Sequence, residues 1–212
     1  MENKKTLSGL YPFLDTDKRS NPDLLDSVQR KVEDSIKAKQ LFFQNNADKI
    51  VQAAHIIAKS YQQGGHMFTM GNGGSSCDAA HITTEFMHPV TTGRKALGAT
   101  NLSADIATMT AVANDVGSDH VFLRQLLCLA RENDVLIGFS TSGNSENLIQ
   151  AFAQAKEMGM STIGFSGQTG GEMAKCGSVD ICLTVETDSI HRVQESHLTT
   201  YHILWDLVHS LL

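Results

Sequence analysis
The chain has 212 residues, a formal net charge of -6 and 41% hydrophobic residues. It is long enough to bury a core without disulfide or metal staples, and its thinly spread 17 basic residues argue against a nucleic-acid surface. No apolar run approaches the ~18 residues of a membrane helix, and the polar start Met1-Glu2-Asn3-Lys4-Lys5 leads into no apolar signal segment, so a cytoplasmic protein is expected.

Residues 1–20 read as an N-terminal arm, polar apart from the patch Leu10-Tyr11-Pro12-Phe13-Leu14. Asn21-Pro22 resembles a helix cap with proline at the first helical position. Leu24, Leu25, Val28, Val32 and Ile36 then predict a helix to about Phe43. Asn45-Asn46 is expected to break it before a second helix, 47–63, which Gly64-Gly65 ends. Residues 21–212 are thus read as one domain that includes an N-terminal helical hairpin.

From His66 the rhythm becomes strand, glycine-rich turn, helix. Strands are predicted at 66–70, 95–102, 134–139, 161–165 and 179–185. Helices are predicted at 77–87, 104–113, 120–130, 146–158 and 190–212. Alternating units of this kind predict an α/β fold with a parallel sheet covered on both faces. Cys77, Cys128, Cys176 and Cys182 show no CxxC spacing and are expected to be buried thiols, forming neither zinc ribbon nor disulfide framework.

Two strand-to-helix loops stand out, Gly71-Asn72-Gly73-Gly74-Ser75-Ser76 and Ser140-Thr141-Ser142-Gly143-Asn144-Ser145. In open parallel sheets ligands sit beyond the carboxyl ends of the strands, where helix N-termini favour anions. Neither loop is GxxxxGK[ST], the first fails GxGxxG at its last position, and GxSxG is absent from the chain. Loops lined by Ser, Thr and Asn, without lysine, suit a monophosphate on a small polar molecule.

His81 and Glu85 lie four residues apart on the helix after the first loop and so share one face. The spacing suits two metal ligands as well as a surface contact. Gln194 and His202 are eight residues apart on the closing helix, about 12 Å along its axis, so meeting one ion needs facing groups from another helix or an irregular first turn. His197 and His209 read as structural, and His88 falls just past a helix end. Asn114-Asp115 reads as a helix end and turn.

Taken together, Gly71-Asn72-Gly73-Gly74-Ser75, Asp78, His81-Ile82-Thr83-Thr84-Glu85 and Ser140–Ser145 resemble the sugar isomerase (SIS) family. Asn114-Asp115, Gly170-Gly171-Glu172-Met173-Ala174, Arg192-Val193-Gln194-Glu195 and His202 extend the resemblance over about residues 25–212. Within the family it is nearest to members that convert sedoheptulose 7-phosphate to D-glycero-D-manno-heptose 7-phosphate. The resemblance implies a three-layer sandwich with a five-stranded parallel sheet, N-terminal helices for oligomer packing, and a homotetramer with sites at subunit interfaces. It implies that Glu85 and His202 are the catalytic pair. It also implies zinc, held by His81, Glu85, Gln194 and His202. Asn72, Gly73, Gly74, Ser75, Glu85, Asn114, Asp115, Ser140, Thr141, Ser142, Ser145 and Gln194 would contact the phosphosugar. The family role lies in lipopolysaccharide or other surface-glycan supply in bacteria. One departure is Pro89, where members commonly carry arginine four residues after the glutamate; Arg94 is the nearby substitute. This keeps open an isomerase of another phosphosugar. The remaining alternative is a non-catalytic tetramer recruiting a protein such as a replication initiator, a role whose members tend to lack the glutamate and histidine.

Overall fold
The computed structural model describes residues 24–212; the expected arm, residues 1–20, lies outside them. Among the described residues, six helices and five strands follow in the order α1 (Leu24–Gln62), β1 (Met67–Gly71), α2 (Gly74–Met87), β2 (Ala99–Asn101), α3 (Ile106–Asp115), α4 (Leu123–Leu129), β3 (Val135–Ser140), α5 (Glu146–Glu157), β4 (Ser161–Gly167), β5 (Ile181–Val185) and α6 (Ile190–Leu211). A short 3-10 turn, Ser118–His120, precedes α4.

The expected hairpin is not formed. α1 runs unbroken through Asn45-Asn46. Asn46 is buried and its amide donates to the Phe42 carbonyl one turn back, at 3.0 Å. Asparagine costs a helix interior only about 0.7 kcal/mol, far less than the burial of Phe42, Ile50, Ala53, Ala54 and Ile57 around it returns. Two compact units divide at Ile36. In the first, residues 24–36 are helical, with an Asp26–Arg30 ion pair at 3.0 Å. Leu24, Leu25, Val28, Val32 and Ile36 are all exposed there.

The second unit holds the sheet, ordered β2-β1-β3-β4-β5 and parallel throughout. Strand alternation sends Met67, Val135, Ile137 and Phe139 to one face, where they pack with Ile57, Ile82, Phe86 and Tyr201. Phe68, Met70 and Leu136 face the other way, toward Phe122, Leu126, Leu148 and Phe152. Helices α2 and α6 with the second half of α1 thus cover one side, and α4 and α5 the other, in three layers. The predicted strand at 95–102 contracts to three residues, because as an edge strand it pairs with β1 alone. Expected burial of the thiols holds only in part: Cys176 and Cys182 are half-buried, while Cys77 and Cys128 are exposed on helix surfaces, and all four are free.

His197 and His209 are buried, as a structural role requires. His209 bonds the Lys95 and Trp205 carbonyls, and His197 Nε2 bonds the Ser166 carbonyl at 3.2 Å. Burial lowers the His197 pKa to about 4, the Ser166 contact opposing it. The unfolded chain therefore binds the proton more tightly than the folded one. Stability from a neutral His197 is full above pH 6.5 and lost as pH falls toward 4. Between pH 7.5 and 4.5 the loss from this residue should be about 2–3 kcal/mol. Urea unfolding should show His197→Gln, which keeps an amide donor without a titrating ring, losing less stability than wild type over that interval by a similar amount.

Candidate active site
Because β1 sits beside both β2 and β3, the chain reverses its direction of winding between β1 and β3. Ligands in such sheets bind in the crevice at this switch point. The two serine- and glycine-rich loops leave from these two strands, whose ends are in register, Gly71 opposite Phe139. The sheet order therefore makes neighbours of two loops 69 residues apart.

Each loop is braced differently. In the first, Ser103 Oγ accepts from the Gly71 N–H at 3.2 Å and donates to its carbonyl at 2.9 Å. Ser75 is buried, and its N–H donates to the Asn72 carbonyl. Gln194 from α6 lies against Gly74: a Cβ there would come within 2.5 Å of the Gln194 amide nitrogen. In the second loop, the Ser140 and Ser145 hydroxyls pair at 2.9 Å, and Ser142 Oγ accepts from the Asn144 N–H. The segment 170–173 backs it, with the Met173 N–H donating to the Gly143 carbonyl and the Glu172 N–H to Asn144 Oδ1. Asn72 of the first loop and Asn147, the second residue of α5, exchange two amide hydrogen bonds. Asn147 and Ser103 carry no motif signal, and sequence reading missed both.

Two helical turns into α2, His81 and Glu85 meet His202 of α6. Their ligand atoms lie within 4.8 Å of one another. His81 Nε2 is 3.2 Å from Glu85 Oε1, and the His81 and His202 rings cross edge to face at 5.1 Å. The α2–α6 contact is fastened from behind. Tyr201 hydroxyl bonds His81 Nδ1 at 2.9 Å, and the Trp205 indole N–H donates to the Glu85 carbonyl at 2.8 Å. Burial, with Asp78 and Glu85 nearby, raises the Tyr201 pKa, so it stays a neutral phenol. Burial also raises Asp78, to about 7, and one of its carboxyl oxygens is buried without a hydrogen-bond partner. Two imidazoles and a carboxylate are the protein donor set of many catalytic zinc sites, and His81 has its second ring nitrogen held by another group, as such ligands do. The donor set fits a divalent transition metal.

Asn114 and Asp115 end α3, where the Asn114 amide donates to Asp115 Oδ1 at 2.7 Å. Arg94, the candidate substitute at the Pro89 departure, has its guanidinium 5.8 Å from the Trp205 ring centroid and 3.9 Å from Asp206. That is one turn past His202 on α6.

The SIS domain profile matches residues 31–167. The chain belongs to the SIS domain family. A phosphoheptose isomerase of Thermodesulfovibrio yellowstonii is 38% identical over 190 residues, covering 90% of this chain and 94% of the relative. The solved phosphoheptose isomerase of Francisella tularensis aligns with a TM-score of 0.83 at 33% identity, covering 88% and 98% of the two chains. That of Neisseria gonorrhoeae aligns at 0.82 and 36%, covering 88% and 99%. The five-stranded SIS sheet, flanked by helices, is thus shared with isomerases along nearly their whole length.

Proposed function
We infer that the chain isomerises sedoheptulose 7-phosphate to D-glycero-D-manno-heptose 7-phosphate through an enediol. The observation that carries this is the meeting of Glu85 and His202, from different helices, two turns beyond a phosphate-type loop at the switch point. Full-length similarity to phosphoheptose isomerases supports it. The Ser140–Ser145 hydroxyls and the free N–H groups at the start of α5 bind the phosphate. Asn72, Gly73, Gly74 and Ser75, with Asn114, Asp115 and Gln194, hold the sugar. Gln194 lies against Gly74 of the first loop, which supports its place beside the substrate.

Moving hydrogen between C1 and C2 requires a base at carbon and an acid at oxygen. Glu85 and His202 supply the two, one taking the carbon proton and the other exchanging the proton on oxygen. Tyr201 keeps the His81 ring oriented, and Trp205 fixes the Glu85 backbone. Zinc is the proposed cofactor: His81, Glu85 and His202, with Gln194 as the family's further ligand, would hold it, and it would supply Lewis-acid polarisation of the substrate oxygens. A homotetramer with shared sites is proposed, and the exposed apolar stripe from Leu24 to Ile36 supports its assembly role. No helix of the described residues is long and apolar enough to cross a membrane, in keeping with a proposed cytoplasmic role in surface-glycan precursor supply. A protein-recruiting, non-catalytic role is not favoured, since both catalytic side chains are present and juxtaposed. The Arg94 position leaves room for a different phosphosugar as the second reading.

Proton NMR in D2O tests the proposal. Sedoheptulose 7-phosphate should give an aldoheptose 7-phosphate carrying deuterium at C1 or C2. Chelator-treated, dialysed protein should turn over about tenfold more slowly or worse, with zinc restoring the rate. Isotope incorporation with no aldoheptose, or no exchange with or without zinc, would move the assignment to another phosphosugar.

A further inference from the structure
The Asn72–Asn147 pair joins the first ligand loop to the helix that follows the second. Asn72 follows the last residue of β1, and Asn147 is the second residue of α5. Asn72 Nδ2 donates to Asn147 Oδ1 at 2.9 Å, and Asn147 Nδ2 donates back to Asn72 Oδ1 at 3.0 Å. Asn72 is exposed at the crevice and Asn147 half-buried behind it.

An asparagine amide offers two N–H donors and two oxygen lone pairs. The reciprocal pair consumes one of each on Asn72. One N–H and one lone pair remain, and the two bonds already made restrict the directions in which they point. An unpaired Asn72 on an exposed loop would sample several rotamers and lose that freedom on binding. We propose that Asn147 is a positioning residue, which presets the Asn72 amide toward the hydroxyls of the phosphosugar and locks the first ligand loop to the helix that follows the second. Asn147 touches neither Glu85 nor His202 in this arrangement, so its effect falls on binding and leaves the chemical step alone. This inference rests on the phosphosugar reading of the two loops.

The test is a cycle of wild type, N72A, N147A and N72A/N147A. Michaelis constants and calorimetric Kd for sedoheptulose 7-phosphate are measured with the melting temperature of each. N147A should raise KM and Kd about fivefold, the size of one or two lost neutral hydrogen bonds, with kcat within about twofold of wild type. On the N72A background the same change should add less than about twofold, because Asn147 acts through Asn72. An N147A effect that persists in full on N72A, or that appears in kcat with a lowered melting temperature, would assign Asn147 a merely structural role and overturn the proposal. An unchanged N147A would overturn it too. If N72A itself leaves KM and Kd unaltered, or wild type neither binds nor isomerises the sugar, the phosphosugar reading of the loops fails, and this inference falls with it.

Discussion

Glu85→Gln is expected to lower kcat by about 10³-fold, within the 10²–10⁴ range for removing a positioned acid or base, while the fold survives. The carboxylate faces His81 and His202 in a half-buried site. An amide of the same shape keeps the volume and a polar contact to His81 but cannot take up a proton. The backbone carbonyl of residue 85 still accepts the Trp205 indole N–H, so the α2–α6 contact remains. His202→Asn should fall by a similar factor. If the two side chains act as one acid–base unit, the double variant should be little worse than either single one. NMR turnover gives the rates. Sedimentation and thermal melting should match wild type, with any oligomer retained. Either single variant keeping more than about a tenth of wild-type turnover would remove that residue from the chemistry.

Gly143→Ala is expected to disable the proposed phosphate loop by sterics alone. Gly143 sits at φ +66, a conformation that costs an L-residue about 1–2 kcal/mol. A Cβ there would also overlap the Gly170 backbone carbonyl, which no rotamer change can relieve. The loop or the 170–173 segment must therefore shift, and with it the hydrogen bonds from Met173 to the Gly143 carbonyl and from Glu172 to Asn144. The Ser140–Ser145 hydroxyl pair is anchored in the same turn. KM should rise about 100-fold, and unfolding free energy should fall by about 3 kcal/mol, combining backbone strain with displaced packing. Gly73→Ala is the control for stability. Gly73 has φ +54, but a Cβ there meets open space, so only the conformational cost of about 1–2 kcal/mol applies. Equal destabilisation by the two substitutions in urea melts would show that the Gly170 contact yields freely and is not a constraint.

The parts legible in the sequence were those whose signal is local. β1 with α2, and β3 with α5, were readable because an apolar run, a glycine- or serine-rich turn and a helical period follow one another within about twenty residues. His81 and Glu85 were readable as a pair because α-helical geometry alone puts i and i+4 on one face. The break at Asn45-Asn46 misled, because a weak local preference was overridden by the core that Phe42 and Ile50 enter. Buried positions for Cys77 and Cys128 misled for a related reason: residue type sets an average burial, while the helix face sets the actual one. Ser103 and Asn147 gave no signal at all, since an isolated polar residue reads as surface until its partner is known.

The sequence by itself determined the alternating α/β architecture, the positions of the two ligand loops at strand ends, and the residue types able to hold a phosphosugar and move a proton. Those follow from periodicity, turn chemistry and side-chain chemistry within short windows. Tertiary structure decided which of these residues meet. The β2-β1-β3 order brought the loops together across the switch point, and α2–α6 packing carried His202 to a pair 117 or more residues earlier in the chain. Contacts between residues this far apart depend on sheet order and helix docking, which the whole core sets and no local window records.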